Sequence, residues 1–249
     1  MILYGHWMMK GSPLRNKDEF LEEAVVMAHA GAASVLLDSP LVRESVTEDP
    51  DPMHGQAPNA ARQMVREWRR ALDLLLVRPD LDGQRIAFVR HSFNAAVGAK
   101  LTAVEKRIGS FVLMANQYSL RDLICDQQNP EMVALRRKLG EAWIANYFWK
   151  FPWDDSLPFV QHSAPAAVFL QNGRKDEQIP ERVVRKSFAQ FGEPKRLEFY
   201  DAGHALNATA RWTVRNGSGV GCTCRRSTAT VYNTFRICDN GPVRFADNG

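Results

Sequence analysis

Long apolar runs are missing from this sequence. No stretch of its 249 residues approaches the roughly 18 uncharged apolar positions that a membrane helix needs, so no membrane partner is expected. Cysteine is scarce as well: Cys125 stands alone, and Cys222, Cys224 and Cys238 crowd the end. Three thiols without a fourth ligand at zinc-finger spacing read as incidental rather than as a metal site or a disulfide framework. The apolar start, Met1 to Met9, has no basic residues ahead of it and no small-residue cleavage pattern, so it does not read as a secretory signal. A water-soluble, cytoplasmic protein is the expectation. Charge of one sign is also absent from most of the chain. Residues 1–210 carry 26 basic and 26 acidic side chains, and residues 211–249 hold six Arg and two Asp, which supply the whole formal net charge of +4. A neutral body argues against a nucleic-acid groove there. The remaining proportions, 45% hydrophobic and 24% charged, are those of an ordinary globular protein and exclude disorder.

What is present is an alternation of short apolar runs with amphipathic stretches. Met1–Tyr4, Ser34–Leu37, Arg85–Val89, Ser110–Met114, Ala166–Leu170 and Arg196–Tyr200 read as strands. Between them lie helical patterns: Phe20, Leu21, Ala24, Val25 and Ala28, with Asp18, Glu19, Glu22 and Glu23 near the N-terminal end; the face of Ala60, Met64, Trp68, Leu72 and Leu75; Phe93–Leu101; and Glu181–Phe191. Repeated strand–helix alternation predicts an α/β protein with a mainly parallel sheet and helices on both faces. Ligands of such sheets bind beyond the carboxyl ends of the strands. One stretch breaks the alternation. From Tyr118 to Val160 there is no strand pattern, only a helical segment over Glu131–Trp149 and an aromatic cluster that includes Trp143, Tyr147, Trp149, Phe151 and Trp153. Two compatible readings stand: a helix packed on the core, or a small cap over residues 118–160 whose Trp143, Trp149 and Trp153 line a hydrophobic pocket.

The chemistry-bearing segment is Arg85-Ile-Ala-Phe-Val-Arg-His-Ser-Phe-Asn. A strand runs directly into a helix with Ser92 at the junction, a place where a tight turn exposes a serine and where the following N–H stabilises an oxyanion. Most serines at helix starts are only caps, so the partners decide. An acid should follow a later strand and a histidine should come last. Val168-Phe-Leu-Gln-Asn-Gly-Arg-Lys-Asp puts Asp176 after one strand, and Phe199-Tyr-Asp-Ala-Gly-His puts His204 after the next. Glu177 and Asp201 remain alternatives for the acid. His6 and His91 lie beside this site as pocket residues.

His91-Ser92-Phe93, the turn Gly173-Arg-Lys-Asp176 with Ile179-Pro180 behind it, and Ala202-Gly203-His204 together resemble the α/β-hydrolases, in particular the broad esterase and dienelactone-hydrolase-like group. The resemblance covers about residues 1–210, read as one hydrolase domain followed by a distinct tail, 211–249. It implies a serine hydrolase that cleaves a small-molecule carboxylic ester through an acyl-enzyme, with no metal or organic cofactor. Ser92 is the implied nucleophile, His204 the base and Asp176 the acid that orients it. Phe93 N–H is one implied oxyanion donor, and the loop Gly5-His6-Trp7-Met8 supplies the other, assigned to Trp7.

The sequence departs from the group at two places. Its elbow is Arg90-His-Ser92-Phe-Asn94, where the family has Gly-x-Ser-x-Gly because strand and helix backbones meet closely. An arginine there must find room or push the turn open, so reduced activity relative to Arg90→Gly is expected, and an inactive binding scaffold is the alternative. Residues 213–249 contain no Leu, Lys or Glu, where the family finishes on an amphipathic helix. A truncated start with an altered end, or a divergent tail, are the two readings, with an exposed tail expected from either.

Overall fold

The computed structural model describes residues 1–7, 16–43, 56–116, 118–126, 128, 130–207 and 209–210. The tail 211–249 with its three cysteines lies outside the described residues. Among the described residues six strands form one all-parallel sheet: β1 (Ile2–Gly5), β2 (Ser34–Leu36), β3 (Ala87–His91), β4 (Ser110–Met114), β5 (Ala167–Gly173) and β6 (Lys195–Tyr200). Their spatial order is β2-β1-β3-β4-β5-β6. The chain steps one way from β1 to β2, crosses back over β1 to β3, and then continues in the opposite direction. The order therefore reverses between β1 and β3, where Tyr4 pairs with Val89 and Gly5 with Arg90. That reversal opens a crevice beyond the carboxyl ends of these two strands.

Right-handed crossovers sort the helices by the direction of each step. The step from β1 to β2 carries α1 (Asn16–Glu19) and α2 (Leu21–His29) to one face. There Phe20 and Ala24 pack with Ile2, Tyr4, Val89, Val112 and Met114. The short α3 (Pro40–Arg43) precedes α4 (Gln56–Leu75), which lies with α5 (Phe93–Val104) on the other face. On α4, Met64, Trp68 and Leu72 are fully buried, while Arg66, Arg69 and Asp73 face water. Each large apolar side chain buried this way contributes about 1.5–3 kcal/mol. Helix α5 is apolar almost throughout because it is enclosed, with Ala95, Val97, Ala99 and Leu101 all fully buried.

Between β4 and β5 the chain forms α6 (Leu120–Asp126), α7 (Pro130–Leu139), α8 (Glu141–Lys150), a 3-10 turn (Pro152–Asp154) and α9 (Leu157–Val160). The single helix expected over Glu131–Trp149 is thus two, divided at Gly140, whose φ of 78° lies in the left-handed region that glycine adopts freely. Ile124, Ile144, Tyr147 and Phe148 make a small cluster of their own there. Helix α10 (Glu181–Phe188) joins β5 to β6 and buries Val183 and Val184. No helix among the described residues is long and apolar enough to cross a membrane.

Candidate active site

Ser92 sits between the last residue of β3 and the first of α5 with φ 53° and ψ −128°. A side-chain-bearing residue held at positive φ is strained, and such strain concentrates at functional turns. The turn is fastened at both ends. Ser92 N–H donates to the Met114 carbonyl at 2.8 Å, and Ala95 N–H donates to the Ser92 carbonyl at 2.7 Å. Phe93 opens α5, and N–H groups of a first helical turn have no intrahelical acceptor.

Ser92 Oγ lies 2.8 Å from His204 Nε2, and His204 Nδ1–H donates to Asp176 Oδ2 at 2.9 Å. The side chain of Asp176 is fully buried, and that of His204 nearly so. The second carboxylate oxygen of Asp176 accepts N–H bonds from Gln178 at 2.9 Å and Ile179 at 3.0 Å, so the acid cannot rotate away from the imidazole. The structure therefore brings Ser92, His204 and Asp176 together in hydrogen-bonding order. Of the two alternative acids, Asp201 is exposed and paired with Lys175 at 2.7 Å, and Glu177 faces solvent.

Glycine makes the approach of these loops feasible. A Cβ on Gly173 would meet the carbonyl oxygens of Ala202 at 2.2 Å and Gly203 at 2.5 Å. The histidine loop thus lies directly on the acid loop, where Lys175 N–H also holds the Ala202 carbonyl at 2.9 Å.

The expected pocket residues are placed differently from one another. His91 is fully buried, with Nε2 donating to the His204 carbonyl at 2.9 Å and Nδ1 2.6 Å from Glu19 Oε1. His6 is fully buried too. Its Nδ1–H donates to the Trp7 carbonyl at 2.8 Å, its Nε2 receives Ser39 N–H at 3.4 Å, and burial lowers its pKa below the usual histidine value. Both histidines hold loops from behind. Trp7 packs its ring 5.8 Å from His91 and 6.2 Å from His204. Its N–H, the donor assigned to an oxyanion, donates instead to Glu19 Oε2 at 2.6 Å. Trp143 stacks on Tyr147 at 5.3 Å, while Trp149 and Trp153 are exposed. These aromatics occupy the helical segment and its surface, and Trp153 packs edge-on to Phe151.

Glu19 is not singled out by the sequence. It stood as one of four acids at a helix start, a pattern that usually faces water; its partners lie 12 and 72 positions away. Among the described residues no cluster of three His, Cys, Asp or Glu side chains could hold a metal ion.

Arg90 neither opens the turn nor reaches solvent. It is fully buried, its guanidinium 4.2 Å above the Trp68 ring and 4.5 Å above the Phe88 ring. The room comes from Gly5: a Cβ there would stand 1.2 Å from Arg90 Nη1.

The fold is that of the α/β-hydrolases. The acetyl xylan esterase from Paenibacillus sp. R4 superposes with a TM-score of 0.68 at 16% identity, over 85% of this chain and 71% of that one. Acetyl xylan esterase 1 from Thermoanaerobacterium sp. JW/SL YS485 gives 0.65 at 16% identity, over 83% and 70%. The Pyrococcus furiosus esterase PF2001 gives 0.53 at 16% identity, over 82% and 73%. No protein-family model and no curated protein sequence matches the chain.

Proposed function

We propose that the protein is a serine hydrolase that cleaves small carboxylic esters through an acyl-enzyme. The observation that carries this reading is the hydrogen-bonded series Ser92–His204–Asp176, at 2.8 and 2.9 Å, set in loops after β3, β6 and β5. His204 Nε2 takes the Ser92 proton as Oγ attacks the ester carbonyl, and gives it to the departing alcohol. Asp176 keeps Nδ1 protonated and balances the imidazolium that forms. The tetrahedral oxyanion is received by Phe93 N–H, aided by the start of α5. Water, deprotonated by His204, then releases the acid. Ester as the substrate class is taken from the names of the three similar structures. Trp143, Trp149 and Trp153 belong to the segment between β4 and β5, and the Trp7 ring stands beside His91 and His204.

One observation favours a second reading, a scaffold with impaired turnover. Trp7 N–H is engaged by Glu19, and the loss of one oxyanion donor costs about 10²–10³ in rate.

Labelling with a fluorophosphonate probe, mapped by mass spectrometry beside a Ser92→Ala control, tests both. Label on Ser92 that the control loses is the expected result. Folded protein that takes no label overturns the catalytic reading in favour of the scaffold.

A further inference from the structure

We infer that Glu19 is a positioning residue for the proposed active site: a buried clamp that joins the loop after β1 to the loop carrying His204. The inference rests on the serine-hydrolase reading for its kinetic consequence but not for its geometry. The Glu19 side chain is almost wholly buried and so is that of His91. One carboxylate oxygen takes Trp7 N–H at 2.6 Å; the other stands 2.6 Å from His91 Nδ1. His91 Nε2 has a carbonyl as its neighbour, that of His204 at 2.9 Å, so this nitrogen carries a proton and donates it. The path Trp7–Glu19–His91–His204 thus crosses behind the crevice through three hydrogen bonds, the middle one formed by a proton held between Glu19 Oε1 and His91 Nδ1. The Trp7 ring closes the loop by packing on both imidazoles.

This matters because the other bonds of the loop are made by its neighbours, with Lys175 N–H on the Ala202 carbonyl and Leu206 N–H on the Gly203 carbonyl, whereas His91 takes the carbonyl of His204 itself. Asp176 orients the His204 ring from one side. The main chain of the same residue is held by His91 from the other. An imidazole fixed at both ring and backbone cannot swing off Ser92 Oγ, and a displacement of about 1 Å at such a group costs about a hundredfold in rate. A carboxylate that merely plugged the oxyanion site would face the crevice and Ser92. Instead the Glu19 side chain is almost wholly buried against His91, and the hydrogen bond of Ser92 Oγ is with His204.

The clamp is geometric, so glutamine should serve in place of glutamate. In Glu19→Gln the amide oxygen accepts Trp7 N–H and the amide N–H donates to His91 Nδ1, leaving His91 Nε2–H on the His204 carbonyl. Glu19→Ala removes both contacts, and Glu19→Asp, one methylene shorter, reaches only one. The experiment compares these three full-length variants with the parent by ester kcat and KM, by thermal midpoint, and by the low-field proton resonance of His204 Nδ1–H, assigned with Asp176→Asn. Expected are a fall in kcat of about 30- to 100-fold for Glu19→Ala with little change in KM, loss or broadening of the resonance, and recovery of both in Glu19→Gln. Should Glu19→Ala not fold, Glu19→Asp carries the same comparison. An unchanged resonance in the Ala or Asp variant overturns the clamp, whatever the activity. A rise in kcat in Glu19→Ala also overturns it, because that is the behaviour of a plug. A parent that shows the resonance but no turnover sinks the hydrolase reading and leaves the clamp to be decided by the spectra.

Discussion

Arg90 and His91 are neighbours on β3, both fully buried, and successive strand residues point to opposite faces of a sheet. His91 enters the face shared with α1 and α2, where each ring nitrogen has a partner. Arg90 enters the face shared with α4 and α5, where none of its three guanidinium nitrogens has one among the described residues. The same strand therefore carries a fully satisfied polar group and an orphaned one side by side. The difference teaches where this fold has been organised around polar contacts. The α1–α2 face, behind the crevice, is built as a network. The α4–α5 face is a hydrocarbon core that admits a cation only because Gly5 leaves a gap and two aromatic rings offer their faces.

Magnitudes sharpen the contrast. Cation–π contacts to Trp68 and Phe88 return about 2 kcal/mol each when desolvated, while the burial of an ion costs several kcal/mol. Burial accordingly pushes the Arg90 pKa well below its usual range, opposed by the charge of Glu19. The histidine side has the reverse balance, because removal of one partner there strands the other. The largest effect expected is thus from His91→Phe. It leaves the Glu19 carboxylate without its ring partner and releases the His204 carbonyl, a loss of about 3–5 kcal/mol that urea unfolding measures. Arg90→Met should move stability the other way. A methionine fills the slot between Trp68 and Phe88 without a charge, and a gain of about 1–3 kcal/mol follows from relief of the unpaired group. The check is a higher urea midpoint at constant slope. A loss of stability in Arg90→Met would break the comparison, since it would mean that the guanidinium has a stabilising partner.

The same two residues show what a sequence yields and what it withholds. The order serine, acid, histidine was readable because each follows a strand in a strand–helix alternation, and topology alone brings the ends of β3, β5 and β6 to one edge. Ser110–Met114 was read to the residue. The strand before Ser92 was placed two residues early, over Arg85–Val89, because an arginine and a histidine look like the end of an apolar run. They continue it, since Gly5 opposite makes space for Arg90. Asp18, Glu19, Glu22 and Glu23 are alike in composition, and only tertiary structure turns Glu19 towards Trp7 and His91. The tryptophans of the 143–153 stretch are a different case. Trp143 and Tyr147 are one helical turn apart, and their stacking serves the helical segment itself.

A second buried cation provides the smallest test and a finer one. Lys100 on α5 is buried like Arg90, but its Nζ donates to Ser156 Oγ at 2.9 Å and to the Asp154 carbonyl at 3.2 Å. Asp154 in turn receives Arg62 and the Tyr147 hydroxyl, each at 2.6 Å, so the lysine ties the segment between β4 and β5 to the helix that begins after Ser92. Burial lowers the Lys100 pKa from 10.5 to about 8, against the opposing charges of Asp154 and Asp155. In the unfolded chain the amine keeps its ordinary value. Between pH 8 and 10.5 the unfolded state therefore holds more protons than the folded one, and stability rises with pH, by up to about 1.4 kcal/mol for each unit of depression. Below pH 8 both states are charged and the dependence vanishes. Parallel urea titrations of the parent and Lys100→Met from pH 7 to 10 should show their difference shifting in favour of the parent above pH 8. A flat difference would mean that partners alone suffice to keep a buried amine at its ordinary pKa. The contrast between satisfied and orphaned cations in this protein would then be wider than burial suggests.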